Sequence, residues 1–344
     1  MDTYTVGVIG CGSVGTKRHI PGYKRDSRAN LYALLDRNRD RVQKVARENA
    51  VPKAHTSEDE FFDEELDIVS ICTPPFTHRD FVIEALRADT NVLCEKPLAL
   101  TADEGNEMVN TANKKNKTLG VVHNFLFASS MRIARQKVES GDIGIVRNVI
   151  GFQTSSPRRD LPKWYPELPG GLFFDESPHL LYLIEHFLGE LSIETVSAKT
   201  ICGDKQPIKT MNATFRSESG VMGTLMMLFE TPLSEWHFVI VGTEQILIVD
   251  IFRDILITLT REKSHSPSEV LRTVLSAIGQ ELWGVLNSGI GTLSGSLLFG
   301  TGELINRYID SLGRNSKPPI TAEEGLMIVE TIEEVLGQSG IETR

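Results

Sequence analysis

Six residues near the start constrain this chain more than any others. Gly10-Cys11-Gly12-Ser13-Val14-Gly15 follows directly on the apolar run Val6-Gly7-Val8-Ile9 and leads into a helical pattern. A buried strand, a glycine-rich turn and a helix in that order form a dinucleotide fingerprint. Gly10 permits the tight turn, Gly12 lets the backbone approach a pyrophosphate, and Gly15 lets helix and strand pack closely. Ser13 and Val14 open the helix, whose N-terminal N–H groups face the phosphates.

Asp36 completes the pattern at the end of a second strand, Asn30 to Leu35. A carboxylate about twenty residues past the loop accepts hydrogen bonds from the adenosine ribose, which favours NAD. Arg37 stands beside it, and a guanidinium at that rim can pair with a 2′-phosphate, so NADP stays open.

Strand and helix patterns alternate through residue 124. Leu66 to Cys72 is a buried run, Phe76 to Ala88 has helical spacing, Asn91 to Cys94 is a strand, and Thr101 caps a helix to Asn116 with Glu104 three residues on. A strand from Thr118 to His123 follows. The pattern then changes. Ile145–Thr154, Ile193–Lys199, Met211–Arg216, Val221–Glu230, Phe238–Val241, Ile246–Ile251 and Ile255–Thr260 read as strands, several joined by short turns. The expected class is therefore α/β: an N-terminal doubly wound parallel sheet over 1–123, then an α+β domain over 124–344 with an open, mostly antiparallel sheet.

Length agrees, since 344 residues exceed the size at which one core usually stops growing. A net charge of −10 disfavours nucleic acid as a partner. No targeting segment or stable membrane insertion is expected, which points to the cytoplasm. Cys11, Cys72, Cys94 and Cys202 have neither metal-ligand spacing nor a CxxC pair, so reduced, packed thiols are expected and no metal site is indicated.

Ligands of doubly wound sheets bind beyond the carboxyl ends of the strands. Thr73-Pro74-Pro75 and Glu95-Lys96-Pro97 both occupy such ends. Lys96 is thus expected near nicotinamide, and the prolines after Thr73 make a rigid turn along the cofactor.

In this combination the chain resembles the Gfo/Idh/MocA oxidoreductases. The resemblance rests on the glycine-rich loop, on Thr73-Pro74-Pro75 with His78, on Glu95-Lys96-Pro97, and on Gly170-Gly171 followed by Asp175 and His179. It implies a Rossmann domain followed by an open sheet domain, and it matches Lys96, Asp175 and His179 to the family's catalytic lysine, aspartate and histidine. It also implies cofactor contacts from Thr73, Pro74, His78, Glu95 and Lys96, a cis bond before Pro97, and a homo-oligomer, dimer or tetramer. Where the family often has an aspartate three residues after the histidine, this chain has Tyr182.

The residue types suit the oxidation of a secondary alcohol, which needs a proton acceptor while hydride leaves carbon. His179 is the natural general base, and Lys96 can hold a developing alkoxide. Asp175, four residues before His179, shares its helix face if the helix spans both; Pro178 leaves open a helix starting at Pro178 or one starting near Leu172. The expected reaction is NAD(P)-dependent hydride transfer at a ring carbon of a sugar, cyclitol or nucleotide sugar. The alternative is a non-catalytic dinucleotide-binding regulator on the same fold. His78, His123 and His186, read from the residues alone, are ordinary hydrogen-bonded or surface histidines.

Ser155 to Leu168 is expected to form the substrate rim, with Arg158 and Arg159 meeting an anionic group and Trp164 and Tyr165 covering an apolar ring face. Apolar residues recur at helical spacing from Val270 to Phe299, including Leu293 and Leu297, and Gly291-x-x-x-Gly295 would allow close helix contact; core or subunit packing is the expectation, with a membrane-surface role as the alternative. An uncovered sheet face exposing Met222, Leu225 and Met227 would likewise favour self-association.

Overall fold

The computed structural model describes residues 3–200, 207–293 and 298–341, without the side chains of 290, 292 and 293. Cys202, Gly295 and Leu297 lie outside the described residues. The chain divides into two compact units, 1–124 with 301–333 and 125–300 with 334–344.

The first unit is built on a six-stranded parallel sheet in the order β3-β2-β1-β4-β5-β6. The strands are β1 Tyr4–Ile9, β2 Ala29–Leu35, β3 Lys53–His55, β4 Ile68–Ile71, β5 Asn91–Cys94 and β6 Leu119–Val121. Between them run α1 Ile20–Arg25, preceded by a π turn at Gly15–His19, then α2 Arg39–Asn49, α3 Glu58–Phe62, α4 His78–Arg87 and α5 Ala102–Lys115. Val6, Val8, Ile68, Val69, Ile71, Val92 and Leu93 are all buried, as continuous apolar strands covered on both faces must be. The order reverses between β1 and β4, which makes their carboxyl ends the switch point where such sheets take ligands. The expected capping of α5 is present: Thr101 Oγ1 accepts from Glu104 N at 3.2 Å, and Glu104 Oε2 accepts from Leu100 N at 3.1 Å.

The second unit carries α6 Ser129–Glu139, β7 Val146–Ser155, α7 Leu172–Leu188, β8 Leu191–Thr200, β9 Ile208–Ser217, β10 Met222–Phe229, β11 Glu235–Gly242, β12 Gln245–Asp250, β13 Ile255–Thr260 and α8 Pro267–Leu293. Its seven strands lie in the order β13-β12-β11-β7-β10-β9-β8. Only β7 and β10 are parallel neighbours; every other described pair is antiparallel. Helix α7 covers one face, where Gly151 and Gly223 make room: a Cβ on Gly223 would lie 2.7 Å from Ile184 Cγ2.

That contact corrects the expected phase of β10. Leu225 and Met227 point with Gly223 toward α7 and are fully buried, Met222 is half-buried, and Met226 is the exposed methionine. Both faces of β10 are apolar, so alternation alone does not say which one meets the helix.

A single boundary near 124 also fails to describe the chain. Helix α9, Thr301–Gly313, and the start of α10, Ala322–Gln338, group with the first unit. Leu304, Ile305, Tyr308 and Ile309 on α9 are buried, and Tyr308 Oη donates to the Val92 carbonyl at 2.9 Å. Four such side chains contribute about 1.5–3 kcal/mol each on burial, enough to hold a returning helix. Among the described residues no helix is long and apolar enough to cross a membrane.

Candidate active site

In the first unit the glycine-rich loop is shaped by its neighbours. Gly10 has φ +97°, and a Cβ there would sit 2.8 Å from the Cys72 backbone. One on Gly15 would lie 2.1 Å from the Gly10 carbonyl oxygen. Gly12 has nothing within 4 Å of its would-be Cβ, so its backbone faces open space, as close approach of a pyrophosphate requires. Asp36 Oδ2 accepts from Cys11 N at 2.9 Å and Oδ1 from Asn38 N at 2.8 Å, which ties the second strand's carboxylate to the loop. Arg41 Nη1 lies 3.4 Å from Asp36 Oδ2, whereas Arg37 is exposed. The donors, the open backbone and the acid together fit a dinucleotide. The Cys11 thiol is pushed up to about 12, mainly by burial with the Asp36 charge adding, and burial likewise raises Cys72 and Cys94, so these three stay protonated.

Two buried histidines organise the next strand ends. His78 is fully buried; its Nδ1 is 2.8 Å from the Pro97 carbonyl oxygen and its Nε2 is 2.9 Å from that of Thr73. It therefore joins the Thr73 turn to the Lys96-Pro97 turn, where the peptide bond is cis. His19, just past the glycine loop, bridges Ser70 Oγ (2.7 Å from Nδ1) and Glu95 Oε1 (2.9 Å from Nε2). Glu95 Oε2 accepts from Lys96 N at 3.2 Å. Burial raises the Glu95 carboxyl, but the His19 hydrogen bond and the charges of His19, Lys96 and Arg18 outweigh it and hold the group below its ordinary value. His123 is lowered to about 3 by burial, with Glu95 raising it and Lys96 lowering it.

In the second unit α7 resolves the question of Pro178. The helix starts at Leu172 after Gly171 and continues through Pro178, so Asp175 lies in its first turn and His179 one turn on. His179 is buried, stacked on Phe125 at 4.3 Å between centroids and edge-on to Trp236 at 5.6 Å. Its Nδ1 lies 3.0 Å from Tyr182 Oη, which accepts from Phe125 N at 3.0 Å. Tyr182 thus orients the ring from the position where the family often has an aspartate.

The rim segment departs from a pair of free arginines. Arg159 is ion-paired to Glu176, whose other oxygen accepts from Gln153 Nε2. Burial, with the Asp175 charge adding, holds the Glu176 carboxyl above its ordinary value, and Arg159 and the two hydrogen bonds offset this only in part. Arg158 is exposed, and Trp164 and Tyr165 are half-buried. Glu235, His237 and Asp250 bring ligand atoms within 4.8 Å of one another, but Arg253 ion-pairs with both carboxylates.

Residues 4–123 match the family model described as "Oxidoreductase family, NAD-binding Rossmann fold", and residues 131–248 match the GFO/IDH/MocA C-terminal domain. The chain belongs to the Gfo/Idh/MocA oxidoreductase family. It is 26% identical over 273 residues to myo-inositol 2-dehydrogenase of Thermotoga maritima, covering 77% of this chain and 81% of that one. It is 29% identical over 248 residues to 1,5-anhydro-D-fructose reductase of Ensifer adhaerens, covering 70% and 74%. The WlbA dehydrogenase of Bordetella pertussis, solved with NADH and UDP-GlcNAcA, superposes with a TM-score of 0.77 over 98% of this chain and 96% of that one at 18% identity, a likeness of fold.

Within this Gfo/Idh/MocA chain, the first unit gathers Gly10, Gly12, Gly15, Asp36, Thr73, Glu95 and Lys96 around the strand ends of an NAD-binding Rossmann domain. The second gathers Asp175, His179 and Tyr182 on α7. Sequence reading missed His19, Ser70, Arg41, Glu176, Phe125 and Trp236. Tyr182 was visible as a departure from the family pattern, though its bond to His179 was not. His186, read as ordinary, is lowered to about 4 chiefly by burial.

Proposed function

We propose that this chain is an NAD-linked dehydrogenase or reductase acting on a secondary alcohol in the ring of a sugar, cyclitol or nucleotide sugar. The names of its relatives support the substrate class: a cyclitol dehydrogenase, an anhydrosugar reductase, and a neighbour bound to a nucleotide sugar. The observation that carries the reading is Lys96 at the carboxyl end of β5, held by the Glu95 and His78 contacts in the NAD-binding domain.

Gly10, Gly12, Ser13, Val14 and Gly15 would hold the pyrophosphate. Asp36, Arg37 and Arg41 would rim the adenosine ribose, and Thr73, Pro74, Glu95 and Lys96 would line the nicotinamide end, with His78 holding their two turns. When bound, NAD supplies the two-electron acceptor for the hydride that leaves the alcohol carbon. The hydroxyl proton goes to His179 Nε2, leaving a carbonyl. That role needs the Nδ1–H tautomer, with Nδ1–H donating to Tyr182 Oη. The Lys96 ammonium holds the developing oxyanion, and Asp175 orients a substrate hydroxyl or His179. Arg158, Trp164 and Tyr165 contact the far side of the substrate, and Arg159, neutralised by Glu176, anchors their segment. Trp236 offers its buried indole N–H, which has no partner among the described residues, as a further donor.

The test starts with a check for co-purified cofactor. Purified protein is then incubated with NAD and a panel of sugars, cyclitols and nucleotide sugars. Turnover of any member supports the proposal; cofactor binding with no turnover across the panel would indicate a non-catalytic regulator instead.

A further inference from the structure

Helix α8 lies with its small and polar side against the sheet and its apolar side outward. Gln280 fixes this rotation: its Oε1 accepts from Thr258 N at 2.8 Å and its Nε2 donates to Thr258 O at 3.1 Å, along the edge strand β13. Gly284 sits so close to the same strand that a Cβ would lie 2.6 Å from Ile255 Cγ2. A surface helix ordinarily turns its apolar stripe inward. Here Leu271, Leu275, Ile278, Leu282 and Val285 point away and are between 49% and 61% exposed. Of the two expectations for this segment, core packing is excluded for the described part of the helix and subunit packing stays open.

The spacing of those five residues is four, three, four, three, which is the seam by which one helix packs into another. Val274, Leu286 and Trp283, the last 67% exposed, flank the seam. At roughly 100 Å² of exposed surface each, the eight supply about the 800 Å² per partner that a standard protein interface covers. A lipid surface fits less well. From 270 to 293 the helix has one cation, Arg272, and one anion, Glu281, so it has no basic face for headgroups, and the chain's net charge is −10.

We propose that the outward face of α8 docks on α8 of a second copy of this chain, forming an isologous helix pair. An all-apolar seam is self-complementary, so a two-fold axis can satisfy both copies with the same residues. The inference is independent of the proposed reaction.

Sedimentation velocity over a range of concentrations tests it on the full chain, comparing wild type with Leu275→Glu/Leu282→Glu. The expected result is a halving of the associated mass in the variant, with circular dichroism unchanged. Should that variant fail to fold, Leu282→Gln and acrylamide quenching of the wild type, with Trp283→Phe measured alongside to separate Trp283 from Trp164 and Trp236, read the same contact, with quenching of the Trp283 component rising on dilution. A wild type that is monomeric throughout, a mass unaltered by the substitutions, or flotation of the wild type with phosphatidylcholine–phosphatidylglycerol vesicles would overturn the proposal.

Discussion

His19 Nε2 lies 2.9 Å from Glu95 Oε1, so the helix that leaves the glycine-rich loop and the strand end that presents Lys96 share one buried hydrogen bond. Removing it leaves a buried carboxylate short of a partner. His19→Ala should destabilise the protein by about 2 kcal/mol in urea unfolding, the range for a bond to a charged group. Because the Glu95 carboxyl is held below its ordinary value of 4.5, its contribution is present above that pH and is lost as pH falls through the folded value. The variant should lose less of its remaining stability in that acid window than wild type does.

Gly12 and Gly15 separate cofactor approach from packing. Gly12→Ala meets no protein atom within 4 Å, so unfolding should move by under about 0.5 kcal/mol while the NADH dissociation constant rises at least about tenfold by titration calorimetry. Gly15→Ala would put a methyl 2.1 Å from the Gly10 carbonyl oxygen and should lower stability by about 1–3 kcal/mol.

His123 and His186 predict acid sensitivity on a different scale. Their folded pKa values, about 3 and about 4, lie below the ordinary 6.5, so below pH 6.5 the unfolded chain takes up protons that the native one refuses. Each should remove roughly 1.4 kcal/mol per pH unit between 6.5 and its folded value. Denaturant midpoints measured from pH 7 to 5 should fall more gently in His123→Gln than in wild type.

Tyr182 holds His179 by a single hydroxyl. Tyr182→Phe should lower kcat by roughly 10- to 100-fold with a smaller change in KM, and should shift the alkaline or acid limb of the pH–rate profile. It also strips Phe125 N–H of its acceptor, at a cost of about 1–3 kcal/mol in unfolding. An unaltered pH profile would leave Tyr182 a purely structural residue.

What was legible in the sequence is what local backbone demands. Gly10, Gly12 and Gly15 are needed by a turn whose whole geometry lies within a few residues, and Asp36 follows at a distance set by one strand–helix–strand unit. Pairings across long separations were not legible. His19 and Glu95 are 76 residues apart, and Tyr308 reaches Val92 from a helix that follows the entire second sheet. Hydrophobic periodicity also lacks a sign. It marked α8 as amphipathic, yet it takes the Gln280–Thr258 bonds and the approach of Gly284 to Ile255 to show that the apolar side faces out; on β10 the crowding of Gly223 by Ile184 says which side faces in.

A Lys96 ammonium that acts on the substrate's oxygen is needed for chemistry and not for holding NADH. A single-turnover assay of NADH formation by wild type and Lys96→Ala, with a substrate found active in the panel and with NADH affinity measured in parallel, separates the two. Wild type should turn over, and the variant should lose about 10²- to 10³-fold or more with NADH affinity within a few-fold of wild type. Equal turnover in the two proteins would mean that Lys96 has no such role.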